Sequence, residues 1–326
     1  MKGFEAMPQK SIHFTLYELA DGVYAVVANP HGAAFSNSGI IDLGDQVLVL
    51  DAMDTPTAAL DLRQAAERLT GKEVSFVILS HNHFDHRGGV QVFDPNTTIL
   101  STNITREIIL EEESDPDFNI EDELRELEES RVMMTERLQS ESDERWKENL
   151  GAAISRLNYF IEAVPGIKIR YPNLTYNSKL TFHGRRRTVD VIHAGMGHTK
   201  SDSWLFLPQE NIAFIADLGF FQSHPFMGSS YPDNWVSILG QFEDSNIVNY
   251  VPGHGPVGTI TDVMKVKEYI LSLQEQVAQV IDRGGSEEDA AAAEMPPIYE
   301  EWVYGINRYE TNMRFLYKAA MEDQNE

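Results

Sequence analysis

The sequence predicts an α/β fold that carries an acidic helical insertion. Three observations predict it. Short apolar runs bounded by Gly, Asp and Asn fill residues 12–51 and return over 180–251, the pattern of strands separated by turns. A helical period interrupts the strands over 55–70. Residues 107–163 hold 18 acidic and 6 basic side chains among many Glu, Leu, Arg and Met, all good helix formers.

In chain order, Phe14 to Leu19 leads through the turn signal Asp21-Gly22 into Val23 to Ala28. Gly39-Ile40-Ile41 and Val47 to Leu50 follow, separated by Gly44-Asp45, so four strands form a meander. Ala58, Leu62, Ala65, Ala66 and Leu69 share one helical face, and Gly71 stops that helix. Val74 to Leu79 reads as a buried strand that ends at Ser80. Asp115-Pro116 breaks the acidic segment and Pro165-Gly166 ends it, which leaves two or three helices. Further strands are expected over 180–182, 188–192, 204–207, 212–216 and 247–251, and helices over 235–242, 261–281 and 296–322. The whole, 1–326, reads as one domain with a helical insertion at 107–163 and a C-terminal helical extension at 261–326.

Composition excludes several functions. With 42% hydrophobic and 24% charged residues, the 326-residue chain is globular in character. Cys 0 removes thiolate catalysis, iron–sulfur clusters and Cys-rich zinc fingers, and it fits a reducing, cytoplasmic setting. A formal charge of -25 opposes binding to nucleic acid or anionic membranes. The one basic cluster, Arg185-Arg186-Arg187, reads as a polar turn between strands. No run approaches the ~18 apolar residues of a membrane span, and the first ten residues contain no signal-peptide core.

The chemistry concentrates in Ser80-His81-Asn82-His83-Phe84-Asp85-His86-Arg87-Gly88-Gly89. Three His and one Asp lie within six residues. In a locally extended loop His81 and His83 point the same way. Asp85 and His86 follow too closely to share one tetrahedral centre with that pair, but they can serve a second metal beside it. More ligands are needed downstream. The Gly-rich Ala194 to Thr199 supplies His198, the apolar run Ile212 to Ala216 delivers Asp217, and Val251 to Pro256 supplies His254. A charge placed at the end of an apolar strand is costly unless it is paired or bound to metal. Five His and two Asp suffice for a dinuclear centre, with zinc the default and iron or manganese also compatible.

The segments SHNHFDHRGG, GHTKSD and PGHGP, with Asp217 between the last two, resemble the metallo-β-lactamase-fold hydrolase superfamily over roughly residues 12–260, nearest to its broad bacterial hydrolase groups. The resemblance implies a four-layer αβ/βα sandwich. It implies that His81, His83 and His198 hold a first metal and that Asp85, His86 and His254 hold a second. Asp217 and a hydroxide would bridge the two, and Asp51, at the end of Val47 to Leu50, would brace the metal loop. The implied activity is attack of that hydroxide on the carbonyl of a small ester, lactone, amide or thioester. Asp85 would orient the hydroxide and pass on its proton. The chain lacks the second-site Cys of the commonest dizinc β-lactamases, the basic exosites of the nucleases, a flavodoxin-like extension, and the basic C-terminal residues of glyoxalase-II-like thioesterases. A mononuclear iron oxidoreductase of persulfide-dioxygenase type and a non-catalytic metal-binding protein are the rival readings.

His193 is a candidate for orienting a ligand or substrate, and equally for a structural hydrogen bond. His224 and Tyr231, in the loop after Asp217, are candidate substrate contacts. His13, His31 and His183 read as ordinary strand or turn residues, and Phe220, Phe221 and Phe226 as either a substrate wall or core. In the insertion, Leu124, Leu127, Met134 and Leu138 recur at helical spacing. Such a stripe must bury itself, and the expected places are the mouth of the site and a homodimer contact.

Overall fold

The structure, a computed structural model, describes residues 5–7, 11–114, 119–303 and 305–323. The first half forms β1 (Phe14–Ala20), β2 (Val23–Ala28), β3 (Ser38–Asp42), β4 (Val47–Leu50), α1 (Pro56–Thr70), β5 (Phe76–Ile78), the single turn α2 (Phe84–Arg87) and β6 (Thr98–Thr102). Three helices follow, α3 (Asn103–Glu113), α4 (Ile120–Ser140) and α5 (Glu144–Ala163), and then β7 (Leu174–Tyr176). The second half has β8 (Lys179–His183), β9 (Thr188–Gly195), β10 (Asp202–Leu207), β11 (Ile212–Phe220), α6 (Pro232–Gly240) and β12 (Asn249–His254). It closes with α7 (Ile260–Asp282), α8 (Glu287–Ala291) and α9 (Gly305–Asp323).

Strands β1 to β7 lie side by side in sequence order in one sheet, and the other sheet runs β12-β11-β10-β9-β8. The meander of the first sheet is antiparallel through β4, after which β5, β6 and β7 add in parallel. The run Val47 to Leu50 shows why it is apolar at every position. Val47 and Val49 pack under α1 with Ala58, Leu62, Ala65 and Ala66, while Leu48 and Leu50 point the other way, against Val191, Leu205, Phe214 and Val251 of the second sheet. Alternation across a strand buried on both faces produces this pattern. The outer face of the second sheet, including Ala213, Ile215 and Tyr250, packs on Trp235 of α6, on Val266, Tyr269 and Leu273 of α7, and on Tyr309 and Met313 of α9. The layers are therefore helix, sheet, sheet, helix, as the resemblance implied.

Local signals held where they were strong. Thr55 caps α1 by accepting from the Ala58 N–H, and Gly71 ends it at φ 68°. The Arg185 to Arg187 stretch is the β8–β9 turn, where Arg186 pairs with Asp42 at 2.8 Å. Other expectations need correction. β11 runs through Asp217 to Phe220 rather than ending at Ala216, because a left-handed Ala216 (φ 44°) shifts its register against β12 without ending the strand. β12 reaches His254 itself. The expected terminal helix over 296–322 is a single turn at Pro297–Tyr299 followed by α9. Among the described residues, no helix is long and apolar enough to cross a membrane.

Candidate metal centre

All the strand ends singled out in the sequence meet at one end of the sandwich. The two sheets are tied there by the Ser203 N–H donating to the Ser80 carbonyl at 2.9 Å and the Asn37 N–H donating to the Gly253 carbonyl at 2.7 Å. The β5–α2 loop brings His81 and His83, α2 brings Asp85 and His86, the β9–β10 loop brings His198, and β11 and β12 bring Asp217 and His254.

These side chains form two adjoining groups. His81, His83, His198 and Asp217 present one ligand atom each within 4.8 Å of one another, and so do Asp85, His86 and His254. Asp217 spans both. Its Oδ2 lies 3.2 Å from His198 Nε2, 3.8 Å from His81 Nε2 and 3.4 Å from His254 Nε2, and its Oδ1 lies 3.0 Å from His86 Nε2. Asp85 Oδ2 stands 3.3 Å from His86 Nε2 and 3.2 Å from His254 Nε2.

The donor set fits divalent metal ions. Nε2 of His81, Nε2 of His86 and Oδ1 of Asp217 are buried and satisfy no hydrogen bond among the described residues, an arrangement that costs stability unless another partner meets them. The tautomers are fixed from behind. Asp51 Oδ2 accepts from Nδ1–H of His86 at 2.8 Å and from the Ser80 hydroxyl at 2.8 Å, and Ser80 Oγ accepts from Nδ1–H of His81 at 2.9 Å. With Nδ1 so engaged, both imidazoles would offer an Nε2 lone pair to a bound ion, one in each group. Asp51 holds this position at φ 58°, a left-handed conformation rare for a side chain other than Gly. Asp51→Asn should lower activity by about 10- to 100-fold, the usual cost of losing a partner that orients ligands. Metal content measured beside kcat/KM checks this.

The electrostatics of the protein groups point the same way. Burial would lower the pKa of His86, but Asp217, Asp85 and Asp51 outweigh it and raise that pKa well above its ordinary value. Burial likewise opposes charge on His254, yet Asp217 and Asp85 push it up to about 9. Asp217 is buried and Asp85 partly so, but their imidazole neighbours hold both well below the usual carboxylate range. His81 is held well below its ordinary value by burial and by His86, and His83 is lowered to about 4 by burial and by His198. A pocket whose carboxylates force protons onto imidazoles favours positive charge, which a metal ion supplies more compactly.

Neighbouring residues fix the loops. Asp202 accepts from the Thr199 N–H at 3.0 Å and from the Thr199 hydroxyl at 2.6 Å, which shapes the turn that carries His198. Asn37 donates to the carbonyls of Pro252 at 2.9 Å and Gly255 at 2.8 Å and so holds the His254 turn. Gly253 allows Asp217 to approach, since a Cβ there would fall 1.8 Å from Oδ1.

The chain matches the sequence profile of the metallo-beta-lactamase superfamily over residues 31–254. The chain belongs to that superfamily. Its fold is similar to that of DIM-1 metallo-beta-lactamase, with a TM-score of 0.57 at 14% identity over 81% of this chain and 99% of that one. It is similar also to a metallo-beta-lactamase from Pontibacter korlensis, with a TM-score of 0.57 at 14% identity over 79% and 99% of the two chains. VMB-1 gives a TM-score of 0.57 at 16% identity over 81% and 99%. No curated protein sequence matches the chain.

Within this metallo-beta-lactamase fold, the remaining candidates separate. Phe220 stacks on His254 at 4.9 Å and 12°, and half-exposed Phe226 faces His83 at 5.8 Å, so both line the pocket. Phe221 is core. His224 also lines the pocket, but both its ring nitrogens are engaged, Nδ1 with the Tyr269 hydroxyl at 3.0 Å and Nε2 with the Tyr299 carbonyl at 3.1 Å. Burial lowers His224 to about 4, and its bonds anchor the C-terminal segment. His193 lies away from the pocket lining, between the Asn177 carbonyl at 2.9 Å and Ser201 Oγ at 3.2 Å. Tyr231 precedes α6 and is not in the lining; its N–H donates to the Gly197 carbonyl at 2.7 Å. Sequence reading missed Ser229, whose Oγ is 3.1 Å from His83 Nε2. It also missed Phe35, tilted on His254 at 4.9 Å, and Arg308, brought from α9. None of these carries a spacing signal, because they converge only after folding.

Proposed function

We propose that the chain is a metal-dependent hydrolase that binds two divalent ions, zinc in the first instance, and cleaves an ester, lactone, amide or thioester. The observation that carries this reading is Asp217, whose Oδ1 faces His86 at 3.0 Å while Oδ2 faces His198 at 3.2 Å. A carboxylate so placed suits a bridge between two ions. His81, His83 and His198 would hold one ion and Asp85, His86 and His254 the other, with Asp217 shared. Two such ions, when bound, supply a water nucleophile at neutral pH and polarise the substrate carbonyl.

The protein's own groups do the rest. Asp85 lies at the edge of the second group and lines the pocket, so it can accept the proton that a water loses on attack and return it to the leaving group. Phe35, Phe84, Phe220 and Phe226 give the pocket apolar walls that exclude bulk water. The second group, complete with its own two imidazoles, supports this reading over a mononuclear iron oxidoreductase.

A panel of esters, lactones, thioesters and amides tests the proposal. Turnover of at least one class by the metal-loaded protein, lost after chelation and restored by zinc, iron or manganese, is the expected result. Oxygen consumption with one iron per chain and no hydrolysis would overturn it.

A further inference from the structure

The hairpin of α4 and α5, residues 120–163, carries 12 of the 18 acidic residues of 107–163, yet it presents none of them to the metal pocket. The hairpin is fastened beside the mouth. Glu148 pairs with His31 at 2.8 Å, Ser155 donates to the His31 carbonyl at 2.9 Å, Arg137 donates to Asn307 at 3.1 Å, and Phe160 packs edge-on against Phe84 at 5.6 Å. Between the hairpin and the start of α9 runs a groove of about 560 Å³, with Met133, Met134, Trp146, Leu150 and Val303 in its walls. No acidic residue lines it among the described residues; its charged members are Arg137 and Arg308.

The groove adjoins the metal pocket. Arg308 lines both the groove and the pocket of about 280 Å³ that contains Asp85, His198, Asp217 and His254. A side cleft lined by Arg156 shares Asn149 and Val303 with the groove and Phe35 and His254 with the pocket. A chain of -25 net charge thus surrounds one approach to its candidate centre with methionine, tryptophan, leucine and arginine. Methionine-lined surfaces adapt to flexible apolar chains, and arginine favours anionic or carbonyl-rich groups.

We propose that this groove is the acyl-chain subsite of the enzyme and that the substrate is an anionic amphiphile. Its unbranched apolar chain lies between α4, α5 and α9, and its polar end passes Arg308 to reach the metal pocket. The fate of the bound molecule rests on the hydrolase reading, whereas its binding does not. The two can therefore be tested apart.

Calorimetric binding of butyrate, octanoate and decanoate to the metal-loaded full chain tests the subsite, with decyltrimethylammonium as the cationic counterpart. Affinity should rise with chain length by up to about fourfold for each methylene that enters the groove. Decanoate should bind at least tenfold more tightly than decyltrimethylammonium, against the sign of the overall charge. Met133→Glu, at a side chain 63% exposed, should fold normally and weaken decanoate at least tenfold while sparing butyrate. Val132→Glu, one residue away and outside the lining, should do neither. Affinity independent of chain length, a preference for the cation, or equal effects of the two variants would overturn the proposal. So would a Met133→Glu protein that changes from dimer to monomer with decanoate binding intact, since the groove would then be a contact between copies. Absence of hydrolysis across ester, lactone, thioester and amide series of the same chain lengths, with these binding results standing, would remove the hydrolase reading and leave the subsite.

Discussion

Asp217→Asn should reduce hydrolysis by more than about 100-fold, beyond the 10- to 100-fold typical of residues that only orient ligands. The amide keeps the size of the side chain but replaces one ligating oxygen with a donor and removes the charge. In the protein both oxygens are in use, Oδ1 towards His86 and Oδ2 towards His198, His81 and His254. An amide nitrogen at either position points hydrogens at a site built to receive a cation. Both groups of imidazoles should therefore lose metal affinity together. His183→Ala, at an exposed position on β8, should retain the wild-type rate. An Asp217→Asn protein with unchanged kcat/KM and metal content would exclude Asp217 as the shared ligand.

Gly253→Ala should be nearly as damaging, although it adds a single methyl group and removes no ligand. The new Cβ would stand 1.8 Å from Asp217 Oδ1 and 2.9 Å from both the Ala216 carbonyl carbon and the Asp217 backbone nitrogen. Asp217 cannot swing away without leaving the centre, and the strand beneath cannot retreat from a sheet packed on both faces. Overpacking of this kind costs about 1–3 kcal/mol. A lowered urea midpoint with unchanged m-value, together with loss of at least one metal equivalent, is the expected outcome. Wild-type stability and metal content would mean that the approach of β11 to β12 is looser than described.

How far the sequence spoke depends on how local each signal is. The run His81 to His86 declares its purpose within six residues, and Asp217 and His254 follow apolar stretches, so the seven ligand candidates were legible from residue type and order. Asp51 was legible only through the family resemblance. Its role depends on Ser80 and His86, 29 and 35 positions away, a relation that no periodicity records. The strands with strong alternation or continuous apolar runs were readable, whereas β6, Thr98–Thr102, and β7, Leu174–Tyr176, are short, polar in part and defined by their partners. The extent of β11 past Asp217 was hidden because the left-handed turn at Ala216 falls on a residue that does not advertise it. Likewise, the acidic composition of 107–163 described the solvent face of the hairpin. Met134 was legible as part of an apolar stripe, whereas exposed Met133 and half-buried Trp146 join it in one groove only when α9 is laid beside the hairpin.

The proposed hydrolase requires two metal ions that share Asp217. Elemental analysis of protein stripped of metal, reloaded with zinc and freed of excess tests it most directly, with Asp217→Asn, Asp85→Ala and His254→Ala measured alongside. Close to two equivalents are expected for the wild type, about one for each of the Asp85 and His254 variants, and less than one for Asp217→Asn. A firm single equivalent in the wild type, unchanged when Asp85 or His254 is replaced, would contradict it.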